Sequence, residues 1–560
     1  MPKKAKRPVD PVSEPEPRCE GFSLNVGSPD ISVESAKSLA QEVARQVLGE
    51  RWGVRELGDD SKEFHVVPAE RAKIPSVSRA WNLVYKLRAH RDVAFADPLF
   101  IVPGVSDPAA RRVAQRGPKS SNGGETHLPC SQPHDWGLQL TSVDQAWHLP
   151  PLTEAGRQYG EGTLIGHPDT GYTLHPQLID GDRVLIDQGY NFWDDTPDPR
   201  DELDGWNPGH GTSTGSVIMS KTPDSDPGTA ISGVAPQAKL VPLRVTNKVV
   251  LFSYARLERA LYYAADKGFH VISISLGGGW SSDSLRRALQ YATQRGVIVI
   301  AASGNEVPYV VYPATYDEAI AVCACNCRGV VWEDASVGEE VDVTAPGESI
   351  WRAAVDNDQY TVARSSGTSY AAAMTAGACA LWLSFHNRDD LIAKYSPSNL
   401  AAVFKEILMR NGVDRPEGWK TNEWGAGILN VQKLLQAQPP TRPVAAGLRR
   451  LRAGVPPREQ NDLDRIMKFF PGKNPKSVRT AMTRWLNVDD QQLNDVLALH
   501  GDELTFHLAL NRDLAKELMS RPARGMKRGK RGGKRAESVA DQRFNRMAST
   551  QLRALTGGKQ

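Results

Sequence analysis

Two apolar runs in this chain each end in a short polar turn, which is the form of a strand buried in a parallel sheet. Residues 162–171 end in the turn that contains Asp169, and residues 296–305 end in Asn305. Parallel strands of one sheet bring their carboxyl ends to the same edge. We therefore expect the Asp169 carboxylate and the Asn305 amide just beyond that edge.

Two further polar residues stand where the sequence predicts the start of a helix. His210 precedes Gly211, Thr212 and an apolar stretch, and Ser369 opens the small-residue segment 370–382. The first turn of a helix carries unpaired N–H groups and a partial positive charge. Ser369 is therefore expected at a positive helix end.

The four side chains together supply the parts for nucleophilic acyl transfer. A serine hydroxyl is a weak nucleophile at neutral pH, so Ser369 needs His210 as general base, and His210 needs Asp169 to hold its tautomer. The Asn305 amide and the Ser369 N–H would stabilise the oxyanion that develops in the transition state. Each short motif alone is more often a structural turn, but the ordered set of four favours catalysis.

The same ordered residues resemble the subtilisin-like serine proteases (peptidase family S8, subtilases), whose catalytic residues follow the order Asp, His, Ser. The resemblance covers residues 135–435 and includes the segments 233–245, 271–278, 312–316, 341–347 and 425–430. It implies an α/β fold with a mostly parallel sheet and helices on both faces. It also implies a serine endopeptidase that cleaves a protein or peptide substrate through an acyl-enzyme.

The resemblance further implies where the substrate binds. Ser275, Leu276 and Gly277 would pair with an extended peptide by strand addition. Val311 would line the floor of the S1 pocket and favour a small or apolar P1 side chain.

Departures from the family pattern leave the catalytic groups in place. Pro168 lies inside the strand that should carry Asp169, and Ala373 stands where the family commonly has proline. A rival interpretation is the nucleophile elbow of the α/β-hydrolases, which residues 367–371 nearly match. It fails on order, because in that fold the acid and the histidine follow the serine, whereas here they precede it.

Residues 21–102 alternate predicted strands and helices in the order βαββαβ, which is typical of a ferredoxin-like α+β module. Such a module ahead of a subtilisin-like domain resembles the family's propeptide, which implies regulation or maturation through the N-terminal domain. The Pro-, Gly- and Ser-rich residues 103–134 form a flexible linker and a candidate processing region. An N-terminal domain that is never cleaved is the alternative.

The chain changes character after the Pro-rich residues 439–443, since apolar residues then recur at helical spacing. Asp489 and Gln492 predict a capped helix that Gly501 ends. These signals predict a small helical domain at 457–520, which either packs on the protease or binds a protein partner. Residues 521–535 hold eight Lys or Arg and no acid, and without aromatic residues they favour a disordered tail over a nucleic-acid site.

The predicted division of the chain is a disordered N-terminus (1–20), the ferredoxin-like module (21–102), the linker (103–134), the protease domain (135–436), a Pro-rich linker (437–456), the helical domain (457–520) and a basic, largely disordered tail (521–560). A different class of function also fits this division. In it, the protease fold is a binding scaffold that recruits partners through the helical domain and the tail.

Composition limits the cofactors and the compartment. No apolar run approaches the ~20 residues of a membrane span and no signal peptide follows Met1, so a cytoplasmic protein is expected. No cofactor is expected to be required.

The acidic loop 194–204 is either a structural calcium site or a solvated loop beside the active site. The cysteines within 323–327 lack the spacing of a metal site, so they are predicted to fill the core, and no metal ligand is assigned.

Overall fold

The structure is a computed structural model, which describes residues 16–27, 31–69, 74–101, 133–179, 181–220, 231–251, 253–356, 359–440, 462–520 and 538–556. Predictions for the first fifteen residues, for nearly all of the linker 103–134, for most of the linker 437–456 and for the basic run 521–535 lie outside the described residues.

The first unit is the N-terminal module, an antiparallel four-stranded sheet in the order β2-β3-β1-β4 with two helices. Its elements are β1 (Arg18–Val26), α1 (Val33–Leu48), β2 (Trp52–Leu57), β3 (Glu63–Pro68), α2 (Val77–Arg88) and β4 (Val93–Ile101). The side chains of Ser32 and Ser76 cap the two helices by accepting hydrogen bonds from the first turn. The βαββαβ order is that of the predicted ferredoxin-like module.

The second unit is built on a nine-stranded sheet in the order β14-β15-β11-β10-β9-β8-β5-β7-β6, parallel except at the β14–β15 edge. The strands are β5 (Leu164–Asp169), β6 (Tyr190–Asn191), β7 (Lys239–Arg244), β8 (Val271–Ile274), β9 (Ile298–Ala302), β10 (Ala319–Cys325), β11 (Val343–Pro346), β14 (Val413–Asp414) and β15 (Ile428–Leu429). A separate hairpin is formed by β12 (Ile350–Asp356) and β13 (Gln359–Ser365). The mostly parallel α/β fold is therefore confirmed.

Helices cover this sheet. They are α3 (Trp136–Leu140), α4 (Val143–Trp147), α5 (His210–Met219), α6 (Ala255–Asp266), α7 (Asp283–Gln294), α8 (Thr368–Phe385), α9 (Arg388–Tyr395), α10 (Pro397–Arg410), α11 (Thr421–Trp424) and α12 (Val431–Gln436), with a 3-10 turn at Ile186–Gln188. Every residue of α8 is buried, because its alanines and glycine let neighbouring backbone approach closely. A Cβ on Gly377, for example, would lie 2.6 Å from the Cβ of Val234.

Two details of the sheet bear on the sequence predictions. Pro168 is tolerated because β5 pairs with β8 only at Ile165 and Gly166, before the proline is reached. Cys323 and Cys325 are free and buried in β10, as predicted for core residues. Cys327 follows the strand, is half-buried and packs against the same core, and it is disulfide-bonded, which was not predicted.

The third unit, the C-terminal helices, comprises α13 (Asp462–Met467), α14 (Pro475–Leu486), α15 (Asp490–Leu510), α16 (Arg512–Ser520), α17 (Val539–Met547) and α18 (Thr550–Thr556). The Asp489–Gln492 capping box is present, but α15 continues through Gly501 because Leu504 and Leu508 extend its apolar face into the core of these helices. Within the predicted tail the structure describes residues 538–556, which form α17 and α18. Phe544 and Leu552 of these helices are buried in the same core.

None of the helices among the described residues combines the length and the apolar character needed to cross a bilayer.

Candidate active site

Asp169 is the last residue of β5 and is fully buried between the neighbouring strands of the sheet. Its Oδ1 accepts hydrogen bonds from the Thr170 N–H at 2.7 Å and from His210 Nδ1 at 2.8 Å. Burial raises the pKa of the Asp169 carboxyl, but the charge and the hydrogen bond of His210 outweigh burial, so this pKa lies below its ordinary value. The carboxylate is therefore ionised and aimed at the imidazole.

His210 begins α5, and its side chain is 13% exposed. Gly209 precedes it with φ +70°, a left-handed conformation that glycine adopts without strain and that turns the chain into the helix. Gly211 follows because a Cβ there would lie 2.1 Å from the carbonyl oxygen of Gly171. The two glycines let the helix start against the turn after β5, which brings the imidazole to Asp169.

Asp201, from the acidic loop, fixes this junction. Its Oδ2 accepts from the Thr170 hydroxyl at 2.6 Å and from the Gly209 N–H at 2.8 Å, while the Thr170 hydroxyl accepts from the Gly211 N–H at 3.1 Å. The end of β5 and the start of α5 are thus tied by one buried carboxylate. Sequence reasoning placed this residue only within a candidate calcium loop, because nothing local marks it as a partner of Thr170.

Ser369 is the second residue of α8 and is 6% exposed. Its hydroxyl donates to the carbonyl of Ser275 at 3.3 Å, and the Ser275 hydroxyl donates to the carbonyl of Ser369 at 3.0 Å. This reciprocal pair attaches the start of α8 to the end of β8. The 3.3 Å bond is long, so it holds the Ser369 hydroxyl only weakly in this orientation.

Asn305 follows β9, and its amide has one defined orientation. Oδ1 accepts from the Thr368 N–H at 3.0 Å and from the Thr368 hydroxyl at 2.8 Å. A backbone N–H can only donate, so the atom facing it has to be the amide oxygen, and Nδ2 becomes the donor on the other side. Sequence reasoning missed Thr368 as the residue that orients this amide, although its position next to Ser369 is a signal that could have found it.

Behind Asp169 lies a polar pair that sequence reasoning also missed. His167 Nε2 is 3.0 Å from the Thr214 hydroxyl, which lies 3.4 Å from Asp169 Oδ2. Burial lowers the pKa of His167, so the imidazole is neutral and does not add a charge beside the carboxylate.

The expected substrate strand follows β8, and part of it is already paired. Ser275 and Leu276 are buried. The Gly277 N–H donates to the carbonyl of Val249 at 3.1 Å, and the Gly277 carbonyl accepts from the Leu251 N–H at 2.7 Å. Both backbone groups that would bind an extended peptide at Gly277 are therefore used by the chain's own segment.

Val311 lies against the same strand. A Cβ on Gly277 would be 2.4 Å from one Val311 methyl, and a Cβ on Gly304 would be 2.8 Å from the other. The Val311 side chain therefore fills the space between these two glycines. Only glycine at both positions leaves room for it.

Two aspartates of the acidic loop 194–204 form ion pairs with arginine side chains from other parts of the chain. Asp194 pairs with the buried Arg244 at 3.1 Å, and Asp195 pairs with Arg259 at 2.6 Å and with Arg55 at 3.0 Å. These guanidinium groups neutralise part of the charge of the loop, and the calcium interpretation stays a prediction. Across the part of the chain that the structure describes, no three or more His, Cys, Asp or Glu side chains are grouped to hold a metal.

Comparison with known proteins identifies the kind of chain to which this site belongs. The model of the subtilase family matches residues 160–427. Thermitase from Thermoactinomyces vulgaris is 31% identical over 312 residues, which are 55% of this chain and 98% of thermitase. The major intracellular serine protease of Bacillus subtilis (strain 168) is 33% identical over 282 residues, which are 49% of this chain and 81% of that protein.

A solved structure extends the likeness in fold. Fervidolysin from Fervidobacterium pennivorans, a keratinolytic enzyme related to subtilisin, aligns with 78% of this chain and 66% of its own at a TM-score of 0.54 and 22% identity.

Proposed function

Because this chain belongs to the subtilase family and is a subtilisin-like serine endopeptidase, we propose that Ser369, His210 and Asp169 are its catalytic triad. The observation that carries the proposal is the partly buried 2.8 Å bond between His210 and Asp169, together with the position of Ser369 in the first turn of α8. That bond leaves His210 Nε2 as the atom that receives the serine proton.

The reaction follows from these positions. Ser369 Oγ attacks the scissile carbonyl carbon while its proton passes to His210, and Asp169 stabilises the imidazolium that forms. Asn305 Nδ2 and the Ser369 N–H donate to the oxyanion, since the bonds from Thr368 hold the amide oxygen and turn Nδ2 to the opposite side. The leaving amine takes the proton from His210, and water then hydrolyses the acyl-enzyme by the same steps.

A serine-directed fluorophosphonate probe tests this assignment. The full chain should be labelled, with the adduct at Ser369 in the peptide map, because only an activated serine beside an oxyanion site reacts quickly. Labelling should be lost in His210→Ala and kept in Ser384→Ala, which removes another buried hydroxyl of α8. A folded chain that is never labelled at Ser369 would contradict the triad and leave the binding scaffold as the better hypothesis.

The proposed substrate is a peptide with a small P1 residue, because the Val311 side chain occupies the space between Gly277 and Gly304. Val311→Ala should raise kcat/KM for a Phe substrate relative to an Ala substrate by about tenfold, the effect expected when a pocket gains one or two methyl volumes. Kinetics on a matched pair of chromogenic peptides measure this ratio. The control Val330→Ala, at a valine that is 58% exposed, should leave it unchanged. An unchanged ratio in Val311→Ala would place the P1 pocket elsewhere.

Regulation through the N-terminal module is part of the proposal. The module contacts α6 through Glu20, which makes two 3.0 Å bonds to Arg256, and through His65, which lies 2.8 Å from Glu258. It contacts α7 through Glu63, which pairs with Arg287 at 3.2 Å. These contacts support docking of the module beside the substrate strand.

Whether the module is then cut from the chain is answered by the intact masses of the wild type and of Ser369→Ala. Self-processing predicts loss of the N-terminal residues in the wild type only.

A further inference from the structure

The C-terminal helices bury one aromatic side chain between the two other units of the chain. The Phe506 ring, on α15, lies 4.8 Å from that of Phe100 and 5.8 Å from that of Trp81, both in the N-terminal module. It lies 5.6 Å from the ring of Trp280, just before α7. Phe506 is 1% exposed and packs in the core shared by the module and the protease sheet, not in the core of the C-terminal helices.

Asp502, one turn before Phe506 on α15, makes an ionic link between the same units. Asp502 pairs with Arg88 of α2 at 3.1 Å, accepts from the Ser281 hydroxyl at 3.3 Å, and pairs with Arg465 of α13. Burial raises the pKa of Asp502, but the charges of Arg465 and Arg88 outweigh burial and hold this pKa below its ordinary value. One carboxylate, 12% exposed, thus joins all three units.

Arg88 carries the link further into the protease unit. Its guanidinium also binds Asp97 at 2.7 Å, and the other oxygen of Asp97 accepts from the Asp283 N–H, at the start of α7, at 3.2 Å. Removing one member of this chain of charges is strongly destabilising, because its partner is then left unpaired away from water.

Helix α2 of the module makes further contacts with the C-terminal helices. The Tyr85 hydroxyl donates to Glu503 at 2.7 Å. Asn82 and Thr550 exchange two hydrogen bonds, at 3.1 and 2.9 Å. Burial raises the pKa of Glu503, but the hydrogen bonds from His500 and His507 outweigh burial and bring it down to about 2, so this acceptor stays ionised.

The module is thus held on two sides, by α6 and α7 through its sheet and by the C-terminal helices through α2. We propose that the C-terminal helices are a clasp that keeps the N-terminal module attached to the protease unit after the chain between them is cut. The module is then a retained subunit, in contrast to a propeptide that is shed. The inference concerns attachment only and holds whether or not Ser369 is catalytic.

The test uses the full chain carrying Ser369→Ala and a recognition site for a sequence-specific protease placed within 103–132. After cutting, the two fragments should elute as one complex in gel filtration at micromolar concentration. Phe506→Ala and Asp502→Asn should each raise the dissociation constant of the cut complex about 30-fold or more, as expected for a buried anchor. Leu499→Ala, on the same helix but 49% exposed, should change it less than twofold.

A milder substitution distinguishes a loss of affinity between the fragments from a failure of the chain to fold. Tyr85→Phe removes only the hydroxyl that binds Glu503, and it should raise the dissociation constant about tenfold while the thermal unfolding of the uncut chain stays cooperative. Free N-terminal fragment released from the cut parent chain without denaturant would overturn the clasp. So would dissociation constants in the Phe506, Asp502 and Tyr85 variants that match that of Leu499→Ala.

Discussion

Ser369→Ala should lower kcat for a peptide substrate by between about 10⁴- and 10⁶-fold, with KM changed little. The alanine cannot form the acyl-enzyme, and only the oxyanion donors and the bound substrate's position remain to speed attack by water. Steady-state hydrolysis of a chromogenic peptide, with the variant freshly purified to exclude wild-type carry-over, measures the loss. The fold should persist, since the hydroxyl makes only one 3.3 Å bond to Ser275.

The control for this result is Ser384→Ala. Its hydroxyl donates to the carbonyl of Arg157 at 3.0 Å, so its removal reports what losing a buried serine hydroxyl from α8 does to stability alone. Adding His210→Ala to Ser369→Ala should cost little more, because residues that act as one unit are not additive. A Ser369→Ala enzyme with more than a hundredth of wild-type kcat would place the nucleophile elsewhere.

Asn305→Ala should lower kcat by about 10²- to 10³-fold while KM stays within about threefold. The amide donates to an oxygen that becomes an anion only in the transition state, so its loss is not felt when the substrate binds. Measuring kcat and KM separately on one peptide distinguishes the two effects. A higher KM with unchanged kcat would make Asn305 a substrate-binding residue instead of an oxyanion donor.

Thr368→Val provides the matched comparison for Asn305. It removes the 2.8 Å hydroxyl bond to the amide oxygen but keeps the 3.0 Å bond from the backbone N–H. The amide stays oriented but is held less firmly, so kcat should fall by no more than about tenfold. Equal losses in the two variants would indicate damage to the start of α8, not loss of an oxyanion donor.

Local pattern was enough to predict the fold class and the places where the proposed catalytic groups lie. Asp169 ends an apolar strand, Asn305 follows one, and His210 and Ser369 lie at the start of helices, so each carries a signal in its own few neighbours. Their catalytic roles remain predictions.

Contacts between distant segments carry no such signal. Arg88 and Asp502 are 414 residues apart, and no residue near either one in the sequence indicates that they pair. The helices that contain Phe544 and Leu552 were missed because the neighbouring basic run dominated the composition of the tail. The tie from Asp201 to Thr170 depends on a loop conformation that composition does not determine.

The proposed binding of a peptide along Gly277 would compete with the bonds that Gly277 forms to Val249 and Leu251. Such a peptide would have to displace two formed hydrogen bonds, so its apparent affinity would be its affinity for the opened strand multiplied by the fraction of molecules that are open. A short substrate that stops before Gly277 would not have to break these bonds. We therefore expect selectivity for peptide length to depend partly on how often the empty enzyme breaks the bonds between Gly277 and residues 249–251.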